Sequence, residues 1–201
     1  MKLLLSFFAV MILVMPQAQA TENRMTVTDI HNFVSAKQDA MNSASLTATR
    51  NFLNRSTAEN AVIERRVAQL EFHPGWNAVT HTRPYYGYAY RYPVTPHYRL
   101  ASHDRLGKWD NINMVEHKKR TIPGYENEIK ITGTTINPYG RTAVVDLDMH
   151  EFSLAYNPYR TNLTERVLHA NSKCKMYLTK LATDQIVMTR MDCNTNSNLR
   201  L

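Results

Sequence analysis

Asp146, Asp148 and His150 are the residues whose types and spacing best suit acid–base chemistry, because they alternate with Val145, Leu147 and Met149. Successive side chains of a strand point to opposite faces, so an extended backbone places the three polar groups together. In an apolar pocket an aspartate and a histidine can act as general base and acid, while a tyrosine such as Tyr139 or Tyr156 polarises a carbonyl. The same alternation also describes the solvent face of a half-buried strand. Phe152, Leu154 and Tyr156 continue in the opposite phase, which predicts a bulge near His150 or Glu151.

A second candidate surface lies in residues 72–103, a stretch without a single acidic residue. Tyr86, Tyr88, Tyr90 and Tyr92 alternate with Gly87, Ala89 and Arg91, giving strand periodicity with one aromatic face. Pro84, Pro93 and Pro96 confine such a strand to about 85–92 and suit an edge. Arg83, Arg91 and Arg99 share a parity with His81 and His97, so in an extended chain they oppose the tyrosines. The pattern fits stacking on sugar rings or a partner, with arginines meeting phosphate or carboxylate. It equally fits an irregular connection whose tyrosines cover the domain's own core.

The two cysteines, Cys174 and Cys193, bracket a hairpin-like stretch whose arms are β-compatible and whose centre, Ala182-Thr183-Asp184-Gln185, is turn-like. Folding it symmetrically places the cysteines opposite each other, Lys175 against Asp192, Met176 against Met191 and Leu181 against Ile186. A cross-strand disulfide favours a non-hydrogen-bonded pair, which a four-residue loop at 182–185 supplies. The pair lacks the close Cys-X-X-Cys spacing of redox or metal sites. The histidines show neither His-X-His nor His-Glu-X-X-His, and there is no Gly-rich phosphate loop or Gly-X-Ser-X-Gly elbow. No metal and no cofactor is expected.

Residues 1–20 read as a secretory signal peptide. Lys2 supplies a positive start, Leu3 to Val14 an apolar run, Pro16 a break, and Ala18-Gln19-Ala20 a cleavage site, so the mature chain begins near Thr21. The apolar run is shorter than the roughly 20 residues of a bilayer span, and no later segment is apolar enough to make one. The protein is therefore expected to be exported, periplasmic or secreted. The whole chain has a formal net charge of +7, and loss of Lys2 lowers this by one. That balance suits an anionic envelope surface better than it specifies nucleic acid, and no nucleic-acid partner is expected. Asn54-Arg55-Ser56 and Asn162-Leu163-Thr164 are glycosylation sequons, which carry meaning in a eukaryotic source.

Residues 21–201 suit a single domain. Thr26-Val27-Thr28-Asp29 resembles a capping box, and apolar residues from Ile30 to Phe52 predict one long helix over about 29–53. Ser56-Thr57-Ala58-Glu59 offers a second box, followed by Ala61, Val62, Ile63, Val67 and Leu70, which predicts a helix over about 57–70. Trp109, Ile112, Met114 and Val115 predict a third over 108–120, stopped by Ile122-Pro123-Gly124. Strands follow at 128–136 and 142–156, separated by the turn Asn137-Pro138-Tyr139-Gly140, and then come the two arms of the cysteine hairpin. Helices first and antiparallel strands afterwards make an α+β domain, interrupted by the tyrosine- and proline-rich insertion at about 72–103.

This order resembles the nuclear transport factor two-like (SnoaL-like) superfamily. Arg50-Asn51-Phe52-Leu53-Asn54-Arg55 carries the likeness, with Gly107-Lys108-Trp109-Asp110-Asn111-Ile112-Asn113-Met114 leading into Ile122-Pro123-Gly124-Tyr125. The strand, turn and strand from Ile131 to Val145 add to it, and the closing strands with their cysteines resemble small exported members. The resemblance spans residues 27 to 193 apart from the insertion. It implies helices packed as a cone on a curved antiparallel sheet. Such folds host isomerases, dehydratases, adaptors and scaffolds alike.

The leading expectation is an exported, non-enzymatic domain that binds a partner protein or small apolar ligand in the cell envelope. One alternative is a small-molecule isomerase or lyase using Asp146, Asp148 or His150. The other is an adaptor that binds an anionic envelope polymer through Arg83, Arg91 and Arg99.

Overall fold

The computed structural model describes residues 24–71, 97–122, 124–156 and 164–197; the side chains of residues 70, 71, 97, 98, 154–156 and 164–167 are outside the description. The expected signal peptide, the tyrosine series Tyr86 to Tyr92 with its proposed strand, Arg83, Arg91 and the Asn162 sequon lie outside the described residues.

The chain runs α1 (Val27–Asn42), α2 (Leu46–Ser56), β1 (Thr57–Glu71), β2 (His97–Leu106), α3 (Lys108–Thr121), β3 (Tyr125–Ile136), β4 (Thr142–Tyr156), β5 (Thr164–Lys180) and β6 (Ile186–Ser197). The strands form one open sheet in the order β2-β1-β6-β5-β4-β3. The pairs are antiparallel except β1 with β6, which is parallel, so the sheet is mixed. The α+β expectation therefore holds in class, with helices covering one face of the sheet.

Two expected helices are corrected. The single helix over 29–53 divides at Ser43-Ala44-Ser45. Its start is as expected: Thr26 Oγ1 accepts from the Asp29 amide and Asp29 Oδ2 accepts from the Thr26 amide. Ser45 then caps a new helix, its Oγ accepting from the Ala48 amide at 3.2 Å. The carbonyls left open at the end of α1 are met by Lys119 of α3, whose Nζ donates to Met41 O at 2.8 Å and to Ser43 O. Serine side chains compete for backbone partners and a distant lysine rewards the break. Apolar periodicity continues through the kink and conceals it.

The helix expected over 57–70 is strand β1. Ala61, Ile63, Arg65 and Val67 are buried in strict alternation. Ala61, Ile63 and Val67 fit a period of two as well as a helix, and the charge at position 65 conceals the shorter period. Pairing with β2 on one side and β6 on the other settles it, with Ile63 opposite both Leu106 and Met191. Part of the expected insertion is also structured, since β2 starts at His97.

The hairpin confirms the cysteine register and corrects the loop. Cys174 faces Cys193 with Cα atoms 4.2 Å apart in a disulfide, and Lys175 faces Asp192 as Met176 faces Met191. Pairing slips by one residue between Tyr177 and Leu178, so Ile186 lies opposite Lys180 rather than Leu181. The loop is residues 181–185, closed by Leu181 N to Gln185 O at 2.8 Å, with Asp184 at φ 67°. The bulge expected near His150 is likewise displaced: the irregularity between β4 and β5 falls between Ser153 and Leu154.

The segment just before α1 closes over the β3–β4 turn. The Met25 amide donates to Gly140 O at 2.7 Å, and Lys180 Nζ donates to Arg24 O at 3.1 Å. Gly140 has φ 68°, and a Cβ there would lie 2.7 Å from Arg24 Cβ. Gly140→Ala is expected to cost about 2 kcal/mol in urea unfolding, from left-handed strain and that collision. Replacing both cysteines by serine is expected to lower stability by roughly 3 kcal/mol, and the untreated protein should weigh two hydrogens less than the reduced one.

Candidate functional site

The inner sheet face begins apolar and turns polar. Along β4, Ala143, Val145 and Leu147 are buried against Ile30 and Val34 of α1, and the same inward phase then brings Glu151 and Ser153. A second apolar cluster contains Met41, Leu53, Ile112, Val115, Tyr125, Leu168 and Ala170. Between the two clusters lies a cavity of about 60 Å³, into which Lys37, Arg65, Lys118, Asn127 and Glu151 project.

Each charge occupies a position that its element assigns to the core. Lys37 falls in the α1 stripe Ile30, Val34, Lys37, Met41, and Lys118 continues Ile112 and Val115 on α3. Arg65 stands between Ile63 and Val67 on β1. Lys118 Nζ contacts both oxygens of Glu151 at 2.8 and 3.1 Å, Arg65 donates to Oε2 at 3.1 Å, and the Tyr125 hydroxyl donates to Oε1 at 2.6 Å.

The electrostatics follow from that geometry. Burial alone pushes the Glu151 carboxyl up, but Lys118 and Arg65 overcome this and hold it down at about 2. Burial lowers the Lys118 ammonium pKa, with Glu151 opposing. Burial and the negative Glu151 raise the Tyr125 phenol, which therefore stays a neutral donor. Burial lowers Lys37 to about 8, only partly offset by Glu151. Asn127 is fully buried, and its side-chain amide has no hydrogen bond of ordinary geometry. Its backbone is fixed from α1, since Asn42 Oδ1 accepts from the Asn127 amide at 2.8 Å and Asn42 Nδ2 donates to Asn127 O at 2.9 Å.

Asp146, Asp148 and His150 do share one face, and it is the face turned away from the helices. Asp146 pairs with Lys175 at 2.9 Å. Asp148 and His150 line an open groove of about 770 Å³ with Glu128, Lys130 and Lys173. His150 Nδ1 is 3.7 Å from Glu128, its ring stands edge-on to His169 at 4.8 Å, and its Nε2 is buried without a hydrogen bond. Tyr139 is exposed on the β3–β4 turn. Arg99 is exposed on β2 and has a partner, and Asn54 of the first sequon is exposed on α2. Sequence reasoning missed Lys37, Arg65, Lys118, Asn127 and Glu151. The available signal was a polar residue recurring inside an apolar period.

Among the described residues no group of histidine, cysteine and carboxylate side chains is arranged to hold a metal ion. No helix among them is long and apolar enough to cross a membrane.

No protein-family profile matches the chain, and no curated protein matches it. Solved structures do. A conserved protein from Planctomyces limnophilus aligns with TM-score 0.52 and 11% identity, covering 84% of this chain and 94% of that one. A protein from Kribbella flavida aligns with TM-score 0.52 and 10% identity, covering 84% and 88%. A nuclear transport factor 2-like superfamily protein from Salmonella enterica aligns with TM-score 0.47 and 12% identity, covering 83% and 87%. At such identities a likeness speaks to architecture alone. Among the described residues three helices lie on one face of an open six-stranded sheet, an α+β architecture that the chain shares with the Planctomyces limnophilus and Kribbella flavida proteins.

Proposed function

We propose that this protein is an exported binding domain that receives a small polar molecule in the cavity between its two apolar clusters. The observation that carries the reading is the Asn127 side chain, fully buried, lining the cavity and without a hydrogen bond of ordinary geometry. A core built only for stability satisfies its buried amides or replaces them with apolar groups. A charged lining also favours a polar guest over the apolar one expected from sequence.

Binding is favoured over acid–base catalysis by the state of Glu151. Its carboxylate receives Lys118, Arg65 and Tyr125 and stays ionised at neutral pH, so it is a poor proton acceptor. The outer-face alternative, acid–base chemistry by Asp148 and His150, has a groove to work in but lacks an apolar enclosure. Support for export comes from the pattern of residues 1–20 and from the disulfide, which persists in oxidising compartments.

Three outcomes are expected. N-terminal sequencing of protein recovered from the envelope or medium should begin at Thr21, and a retained Met1 refutes export. A thermal-shift screen of small polar molecules should yield saturable stabilisation that Ser172→Leu, which fills the cavity, abolishes; a screen without any such molecule refutes binding. Glu151→Gln should cost about 3 kcal/mol at neutral pH, because it leaves Lys118 and Arg65 without their carboxylate. The carboxyl titrates from 4.5 in its ordinary state to about 2 in the fold. A depressed carboxylate contributes fully above pH 4.5 and loses that contribution as pH falls toward 2. Acid unfolding of the Gln variant should lack that segment of the profile.

A further inference from the structure

We propose that the molecule received by the cavity is a short carboxylate, held by Lys37 with Arg65 and Lys118 as supporting charge and Asn127 as a neighbouring hydrogen-bond group. This rests on the binding reading above and names the ligand class for the same site.

The other buried cations of the described residues are paired. Lys108 meets Glu59 at 3.0 Å, Lys180 meets Asp184 at 2.9 Å, and Arg65 and Lys118 share Glu151. Lys37, 6% exposed, has no carboxylate within ion-pair distance among the described residues. The cavity is thus lined by three basic side chains and one carboxylate. Taking a charge out of water costs several kcal/mol unless it is paired, so the surplus favours an anion at Lys37.

Size and donor pattern narrow the anion. A cavity of about 60 Å³ is far below the roughly 300–1,000 Å³ of sites for drug-sized ligands. It suits formate, acetate or glycolate. Lysine ammonium and guanidinium donors match carboxylate oxygens. The Asn127 amide offers a donor to such an oxygen, and its acceptor oxygen favours a ligand with its own hydroxyl, as in a 2-hydroxy acid.

The test is isothermal titration of the purified mature protein at neutral pH with sodium formate, acetate and glycolate. Sodium chloride at equal ionic strength and the neutral amides formamide and acetamide serve as comparisons. Carboxylates are expected to bind saturably, glycolate best, and Lys37→Met should weaken them roughly 10- to 100-fold. Met fills a similar volume, so this variant should fold at least as well as the parent. Should it fail to fold, the parent protein still decides: acetate affinity should fall as pH rises and Lys37 loses its proton. Binding of the neutral amides without the carboxylates overturns the anion assignment and leaves the binding reading standing. Binding of neither overturns the anion assignment, and a broader thermal-shift screen that also fails overturns the binding reading. Carboxylate binding unchanged in Lys37→Met removes Lys37 as the anchor and sinks the proposal.

Discussion

The Glu151 carboxylate is the point at which separate parts of the chain are made to agree. It sits on β4 and accepts from Arg65 on β1, Lys118 on α3 and Tyr125 on β3. β1 and β4 are not neighbours in the sheet, since β6 and β5 lie between them, so this contact fixes how far the sheet folds toward its own inner face. It also fixes the seat of α3. A buried ion pair of this kind adds little over an apolar core of equal volume, but losing one partner is costly. Geometry is thereby specified: arrangements that separate these groups leave charges stranded in a medium that cannot solvate them.

The same lining limits what the interior can be. Apolar clusters on either side make a core in the ordinary sense, and the charged zone between them keeps a cavity that collapse would otherwise fill. α1 contributes on two sides. Gln38 and Asn42 occupy backbone groups along the exposed edge of β3, which would otherwise invite pairing with another chain. Lys37, one position from Gln38, turns inward instead. Because Asn42 secures the Asn127 backbone, the Asn127 side chain is left for the cavity. Edge protection and site construction are thus performed by one helical segment.

Local signals in the sequence suffice where short-range chemistry decides. The Thr26–Asp29 box, the third helix, the strands from β3 onward and the Cys174–Cys193 register all follow from neighbours within a few residues or across one turn. The hairpin loop slipped by one residue because a bulge beside Thr189 absorbs the difference, and Thr189 reaches Tyr177 O at 3.3 Å. A symmetric fold of the sequence contains no sign of it.

By itself the sequence determined the α+β class, the covalent link between the last two strands, and the sharing of one face by Asp146, Asp148 and His150, because alternation and pairing are local properties. Only the tertiary structure decided which face that is, that residues 57–71 are a strand, that Arg65 and Lys118 meet Glu151, and that Lys37 lines the same cavity. Charge at an apolar position reads as an interruption until its partner is known, and here the partners lie 33 to 86 residues apart along the chain. Burial and pairing at that distance are set by the packing of whole elements, which no window of sequence contains.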